Sequence, residues 1–314
     1  MLKRLRDMAK KAVPRRYGLP DFGKPELPAG VELFDIRTVD ALQPHAEDWD
    51  RLFAEVTPFT AFLSRSWMEA FFKHMVHAPE AWCCLFLYEA GRLTGVLPLV
   101  AGYAFVLPGV RLQLFKLPYH LMHTSGTDAL LLPGGEERVM AHFFRYLGGR
   151  RGLWPFLSYK HLPENYPGAR LFAGGDFAGM CAVRKPAGFE SYIPVAGSGE
   201  GYTAGLAGKF RQNLRRAAAA FEGLPAAEFV FCDRARPVDE LFDRFLTAED
   251  QCWKGERGSS VKASPDSAAM MREAAAGLAA AGELAMSFLE VGGKVAAAHY
   301  AMRHGRVLYI LKMG

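Results

Sequence analysis

Three groups of residues in this sequence have the types and spacing to do chemistry. The first is a helix end: Glu249 and Asp250, followed at once by Trp253 and Lys254 and then by the loose stretch KGERGSS. A carboxylate such as Glu249 can take a proton from an attacking hydroxyl or amine if it lies within hydrogen-bond reach. A carboxylate on a helix is, however, more often a solvated surface group. The second is His299, since an imidazole side chain can serve as a proton acceptor near neutral pH and suits the same task. It is equally suited to being a hydrogen-bonded core residue. The third is the run KFRQNLRR, in which Lys209, Arg211, Arg215 and Arg216 place four cations within eight residues and no acid. Such a face binds phosphate groups, or is simply solvated.

Other constellations are weaker. The pairs His74/His77 and His120/His123 have HxxH spacing, but no third ligand type stands near them, so no metal is expected. There is no GxSxG elbow, and GSGEG (Gly197 to Gly201) lacks the setting of a dinucleotide fingerprint and reads as a linker. The five cysteines (Cys83, Cys84, Cys181, Cys232 and Cys252) form no CxxC pair and are odd in number. They suit a reduced, cytoplasmic compartment rather than a disulfide framework or a nucleophile.

These residues need elements to hold them. After the linker-like LPDFGKPELPAG, VELFDI reads as a strand, Asp40 to Glu55 as helical, and SRSWMEAFFKHM as a helix capped by Ser64 or Ser66. WCCLFLYEAGRLTGVLPLVAG reads as two strands about a Gly91 turn, followed by the strand RLQLFKL. TDALLL, GLWPFLSY, AGMCAVRK and FESYIPV read as further strands. GEERVMAHFFRYL is a helix with Val139, Phe143 and Leu147 on one face. A second series begins near Gly201. It runs through the helix with the stripe Phe210, Leu214, Ala217, Ala218 and Phe221, then strand AEFVFC, a helix to Trp253 and an Ala-rich helix to Ala281. It ends with three strands, ELAMSFLEV, KVAAAHYAM and RVLYILKM. His304 falls in the last turn, where solvation is expected.

Both series run strand, helix, helix, strand, strand, strand. The hairpins LFLYEAGRLTGVLPLV and MSFLEVGGKVAAAHYAM align with a one-residue gap at Gly292-Gly293, which points to an internal duplication. The expected organisation is a basic tail and linker over residues 1–30, a first unit over 31–196 and a second over 201–314.

With these stretches in view, the chain resembles GNAT-like acyltransferases of the cellulose and exopolysaccharide biosynthesis (CelD/BcsL-like) type. These are relatives of the FemAB transferases, which pair two GNAT units. The stretches that carry the resemblance are TPFTAFLSRSWMEAFF, KFRQNLRR, AEDQCWKGERG and GELAMSFLEVGGKVAAAHYAM. It implies an α/β fold of two tandem GNAT-like units, with mixed, largely antiparallel sheets covered by helices. It also implies acyl transfer from acetyl-CoA or another acyl-CoA, by direct attack of an amine or hydroxyl acceptor. In that frame His299 and Glu249 are the candidate catalytic residues. Tyr309, Ile310, Leu311 and Lys312 form the cofactor-side strand. Lys209, Arg211, Arg215, Arg216, Trp253 and Lys254 bind substrate, a small-molecule or saccharide acceptor.

Complete members of the family continue beyond that strand with a loop and helix that take the cofactor pyrophosphate. The second unit is therefore expected to be truncated after its fourth strand. In the first unit the equivalent loop, LPGGEERVM, puts Glu136 and Glu137 in the first helical turn, where they would repel a pyrophosphate. That unit is expected to be structural or acceptor-binding.

Composition sets the remaining bounds. Residues 1–16 carry seven basic residues and one acid, more than the whole net charge of +5, so the body is near neutral. A neutral body argues against a nucleic-acid binder, and so against an aminoacyl-tRNA-dependent FemAB-like activity. The tail reads as a disordered basic segment or as a peripheral contact with the inner membrane surface. The rival from another class is a non-catalytic scaffold of polysaccharide machinery.

Overall fold

The structure is a computed structural model. It describes residues 26–314, apart from 57, 108–109, 121–123, 125, 149–155, 175, 178–179, 187, 189–190, 196 and 233–236. The basic tail over 1–16 and His123 lie outside the described residues.

In chain order the elements are β1 (Val31–Ile36), α1 (Ala46–Glu55), α2 (Arg65–Met75), β2 (Ala81–Glu89), β3 (Arg92–Leu107), β4 (Val110–Lys116), β5 (Leu130–Leu131), α3 (Glu136–Gly148), β6 (Phe156–Ser158), α4 (Pro167–Leu171), β7 (Asp176–Phe177) and β8 (Met180–Cys181). There follow α5 (Gly199–Gly205), α6 (Gly208–Glu222), β9 (Ala227–Cys232), α7 (Val238–Asp250), α8 (Trp253–Glu256), α9 (Pro265–Ala280), β10 (Leu284–Val291), β11 (Lys294–His304) and β12 (Val307–Met313). The chain divides into two compact units. The first holds the described residues up to 187 together with 266–278 and 304–307; the second holds 188–265, 279–303 and 308–314. The α/β class with mixed sheets is as the sequence implies.

In the first unit the sheet order is β1-β2-β3-β4-β6, with β5 beside β3; only the β4–β6 pairing is parallel. β2 is buried on both faces from Cys83 to Leu87, which explains its unbroken apolar run. One face packs under α3, where Leu85, Leu87, Leu97 and Leu99 meet Val139, Met140 and Phe143. On the other face α1 sets Trp49 edge-on to Phe86, with ring centroids 5.4 Å apart. Trp49 Nε1 donates to the Leu63 carbonyl at 3.0 Å, satisfying the buried indole.

The Ala-rich helix α9 follows the second series in sequence but lies with the first unit. Its small residues allow a close approach: a Cβ on Gly277 would lie 2.4 Å from Ser66 Oγ on α2. His74 and His77, read above for metal spacing, are carboxylate partners instead. His74 Nε2 lies 2.6 Å from Glu273 Oε2, and His77 Nε2 lies 3.0 Å from Asp266 Oδ2. His304 is buried in this unit, its ring centroid 4.1 Å from that of Phe53. The expected solvated turn position is thus corrected: the strand runs on to His304 and the turn falls at Gly305.

The second unit is a four-stranded sheet in the order β12-β11-β10-β9. One face packs under α7, where Phe242 and Phe245 stand 5.8 and 5.7 Å from Tyr300. Two sequence readings fail here. In FESYIPV, Phe189 and Glu190 lie outside the described residues and Ser191 to Val195 form no strand: Tyr192, Ile193 and Val195 are 84, 68 and 61% exposed. Alternation marks a strand only if a partner strand takes its hydrogen bonds. GSGEG is not a plain linker either, since Ser198 caps α5 by accepting the Gly201 N–H at 3.1 Å.

The duplication is clearer in register than in sequence. β2 and β3 pair Leu87 with Gly95 and Glu89 with Arg92, with a register shift between Leu87 and Tyr88. β10 and β11 pair Leu289 with Ala297 and Val291 with Lys294, with the shift between Leu289 and Glu290. The two hairpins therefore match position for position, bulge included, with no gap at Gly292-Gly293. Ala90-Gly91 and Gly292-Gly293 all have positive φ, as a tight hairpin of this hand requires.

Candidate functional site

The expected functional residues that the structure gathers lie where the C-terminal end of α7 meets the last strand of the second unit. Glu249 stands in the last turn of α7 with no exposed surface. Its Oε2 accepts the Val261 N–H at 2.7 Å, and Lys254 Nζ lies 3.3 Å from Oε1. Lys254 also donates to the Met313 carbonyl. One lysine thus bridges the end of α7 to the end of β12. The approach is close: a Cβ on Gly314 would lie 2.7 Å from the Glu249 backbone nitrogen.

Lys312 is half-buried beside this pair. Burial lowers its pKa, with the Glu249 carboxylate acting the other way and the Lys254 charge adding to the lowering. Asp250 faces outward from the same helix end. It accepts from Ser260 Oγ at 2.7 Å, and this bond holds its carboxyl below the usual range, with Lys262 3.4 Å away.

β12 lies at the edge of the sheet, with β11 as its only partner among the described residues. Ala298 and Gly314 exchange both backbone hydrogen bonds at 2.8 Å. In an antiparallel pair the backbone groups of alternate residues face the two sides. Gly314 faces β11, so Met313 turns its N–H and C=O to the edge. The Met313 carbonyl taken by Lys254 fits that phase. The resemblance implies a cofactor-side strand here, and β11 is the one described strand paired with it.

His299 is exposed on β11, between the buried Ala298 and Tyr300. It therefore projects from the face opposite α7, and the structure does not bring it together with Glu249. Phe229 and Phe231 share its face and are 59 and 62% exposed. Trp253 is also largely exposed, with the Arg257 guanidinium 5.2 Å over its ring. Lys209, Arg211, Arg215 and Arg216 line α6, which buries none of its residues, so the stripe Phe210 and Leu214 stays open.

Two points correct the sequence reading. The expected surface carboxylate Glu249 is buried with both oxygens engaged, so it is not presented to an acceptor arriving from solvent. Val261, its backbone partner, carried no signal in the sequence, because any residue type supplies an N–H. In the first unit Glu136 and Glu137 do occupy the first turn of α3. Among the described residues no three His, Cys, Asp or Glu side chains gather as a metal ion would need.

Residues 208–314 match the family described as Acetyltransferase (GNAT) domain. Over those residues the chain is similar to a GNAT acetyltransferase domain. This domain contains α6, α7 and the whole β9–β12 sheet, so the gathered residues above all belong to it. Among solved structures, a tandem GNAT protein from the clavulanic acid biosynthesis pathway (without AcCoA) is similar at 16% identity. The likeness covers 90% of this chain and 80% of that one, with a TM-score of 0.34. A likeness so distant bears on neither site nor substrate. None of the curated proteins compared matches the chain.

Proposed function

We propose that the GNAT domain transfers an acyl group from acetyl-CoA or another acyl-CoA to an amine or hydroxyl of an envelope or exopolysaccharide precursor. The observation that carries this reading is the edge position of β12, with Met313 turned outward at the Lys254-capped end. An unpaired strand edge takes an extended amide chain by strand addition, and the pantetheine arm of coenzyme A is such a chain. One outward N–H of Tyr309 to Lys312 polarises the thioester carbonyl. The acyl-CoA supplies the activated carbonyl.

The protein's own residues do the rest. His299, exposed on the face opposite α7, accepts the acceptor's proton. Lys254 and Glu249 fix the end of β12 against α7 rather than touching substrate. Trp253 forms an outer wall. Lys209, Arg211, Arg215 and Arg216 offer four cations on an otherwise unoccupied helix, which favours an acceptor carrying phosphate. Residues 1–16 hold the protein at an anionic inner-membrane surface.

Isothermal titration of acetyl-CoA into the chain tests the reading. Saturable binding at roughly micromolar Kd is expected, with release of the coenzyme A thiol when a phosphosugar acceptor is added and loss of that release in His299→Ala. Absence of saturable binding would overturn the assignment.

A further inference from the structure

The first unit contains a cavity of about 160 Å³ that the acyl-transfer reading does not use. Phe71 and Met75 of α2 and Val100 of β3 form its apolar side. Glu80, Lys116, Tyr119 and His120 form its polar side. A cavity of about 150 Å³ holds a molecule the size of benzene, so the space suits a small ligand and not a nucleotide.

The polar side has a specific charge pattern. Lys116 Nζ lies 2.5 Å from Glu80 Oε1, and each side chain keeps about a third of its surface exposed, at 33 and 30%. Gly102 leaves room for the pair: a Cβ there would sit 3.3 Å from Glu80 Oε1 and 3.7 Å from Lys116 Cε. The Glu80 backbone is fixed by donation to the His77 carbonyl at 2.8 Å. Tyr119 is held by stacking on His161, with centroids 4.7 Å apart and planes 9° apart. One anion and one cation thus stand side by side at the mouth of an apolar recess.

We infer that this cavity binds a free amino acid with an apolar side chain. The ligand's ammonium replaces Lys116 as the partner of Glu80, and its carboxylate replaces Glu80 as the partner of Lys116. The exchange leaves no charge unpaired, which is the condition for burying ionic groups at low cost. A ligand with one charge would leave one member of the pair unanswered. The apolar side chain fills the recess of Phe71, Met75 and Val100 and is removed from water there. This inference does not depend on the acyl-transfer reading, since every lining residue lies in the first unit.

L-leucine is the probe. Titration into the whole chain, followed by calorimetry and by the rise in melting temperature, is expected to show saturable binding below about 1 mM. 4-Methylpentanoate, which lacks the ammonium, and leucinamide, which lacks the carboxylate, are expected to bind at least about tenfold more weakly. Glu80→Gln and Lys116→Met are expected to weaken leucine by a similar factor, with Glu32→Gln on exposed β1 as the unaffected control. If either cavity variant fails to fold, the two analogues on the unaltered chain still decide. No saturable binding of leucine, or equal binding of leucine and both analogues, overturns the inference.

Discussion

The backbone N–H of Val261 donates to Glu249 Oε2 at 2.7 Å, inside a region where Glu249 has no exposed surface. The pair fastens the end of α7 to the segment that follows α8, and Lys254 extends the link to Met313. Both carboxylate oxygens of Glu249 are thus engaged within the second unit.

The first prediction follows from that bond. Glu249→Ala leaves the Val261 N–H unanswered and the Lys254 ammonium half-buried without its carboxylate. Breaking a buried pair from one side costs about 3–5 kcal/mol. Glu249→Gln keeps an acceptor for Val261 and is expected to cost about 1–3 kcal/mol. Urea denaturation measures both. A Gln variant with full stability and no turnover would instead make Glu249 the proton acceptor.

A second prediction concerns Gly95, which corresponds to Ala297 in the matched hairpins. A Cβ on Gly95 would lie 2.4 Å from Val139 Cγ1 and 3.0 Å from Phe143. Val139 is β-branched and stiff in a helix, so α3 must shift to admit a methyl group. Gly95→Ala is expected to destabilise the protein by about 1–3 kcal/mol. Ala297 already carries that methyl on the face shared with the exposed Phe229 and His299. If Gly95→Ala unfolds at the same denaturant concentration as the parent, α3 is not seated on β3.

Much of this was legible in the sequence, and the parts that were not share a cause. Turn chemistry is local, so Gly91 and Gly292-Gly293 marked both hairpins, and apolar spacing marked α1, α2 and α3. The apolar residues Tyr192, Ile193 and Val195 were an equally local signal, but a strand needs a partner that the sequence cannot nominate. Glu249 and His304 looked like surface groups because their burial comes from Val261 and Phe53, which are distant in sequence. The hairpin match seemed to need a gap because side chains have diverged where the backbone register has not.

A third prediction rests on Asp128, which is fully buried in the first unit. Burial pushes its carboxyl up to about 7, against the Gly168 and Ala129 N–H groups, which donate to it at 2.8 Å each. In the unfolded chain it titrates near its ordinary value of 3.8. Between those two values the folded state holds a proton that the unfolded state has lost. The stabilising contribution is therefore complete below the unfolded value and is lost as pH rises toward about 7. Asp128→Asn has no such proton. The parent should lose stability relative to this variant between about pH 4 and about pH 7, measured by urea denaturation. Parallel profiles would show that the carboxyl is not buried as described.

The last prediction tests the strand edge. Proline removes a backbone N–H and is tolerated on an edge strand where that N–H points away from the sheet. The mutual bonds of Ala298 and Gly314 put Met313 in that phase and Gly314 in the other. Met313→Pro should therefore keep the β11 pairing and most of the stability, while removing a donor from the edge offered to the pantetheine arm. Acetyl-CoA affinity should fall by about tenfold or more, the worth of roughly one hydrogen bond in a desolvated site. Gly314→Pro, by contrast, removes the N–H given to Ala298 and should lower the melting temperature. If Met313→Pro binds acetyl-CoA as tightly as the parent, the thioester does not lie along this end of β12 and the donor site must be sought elsewhere in residues 208–314.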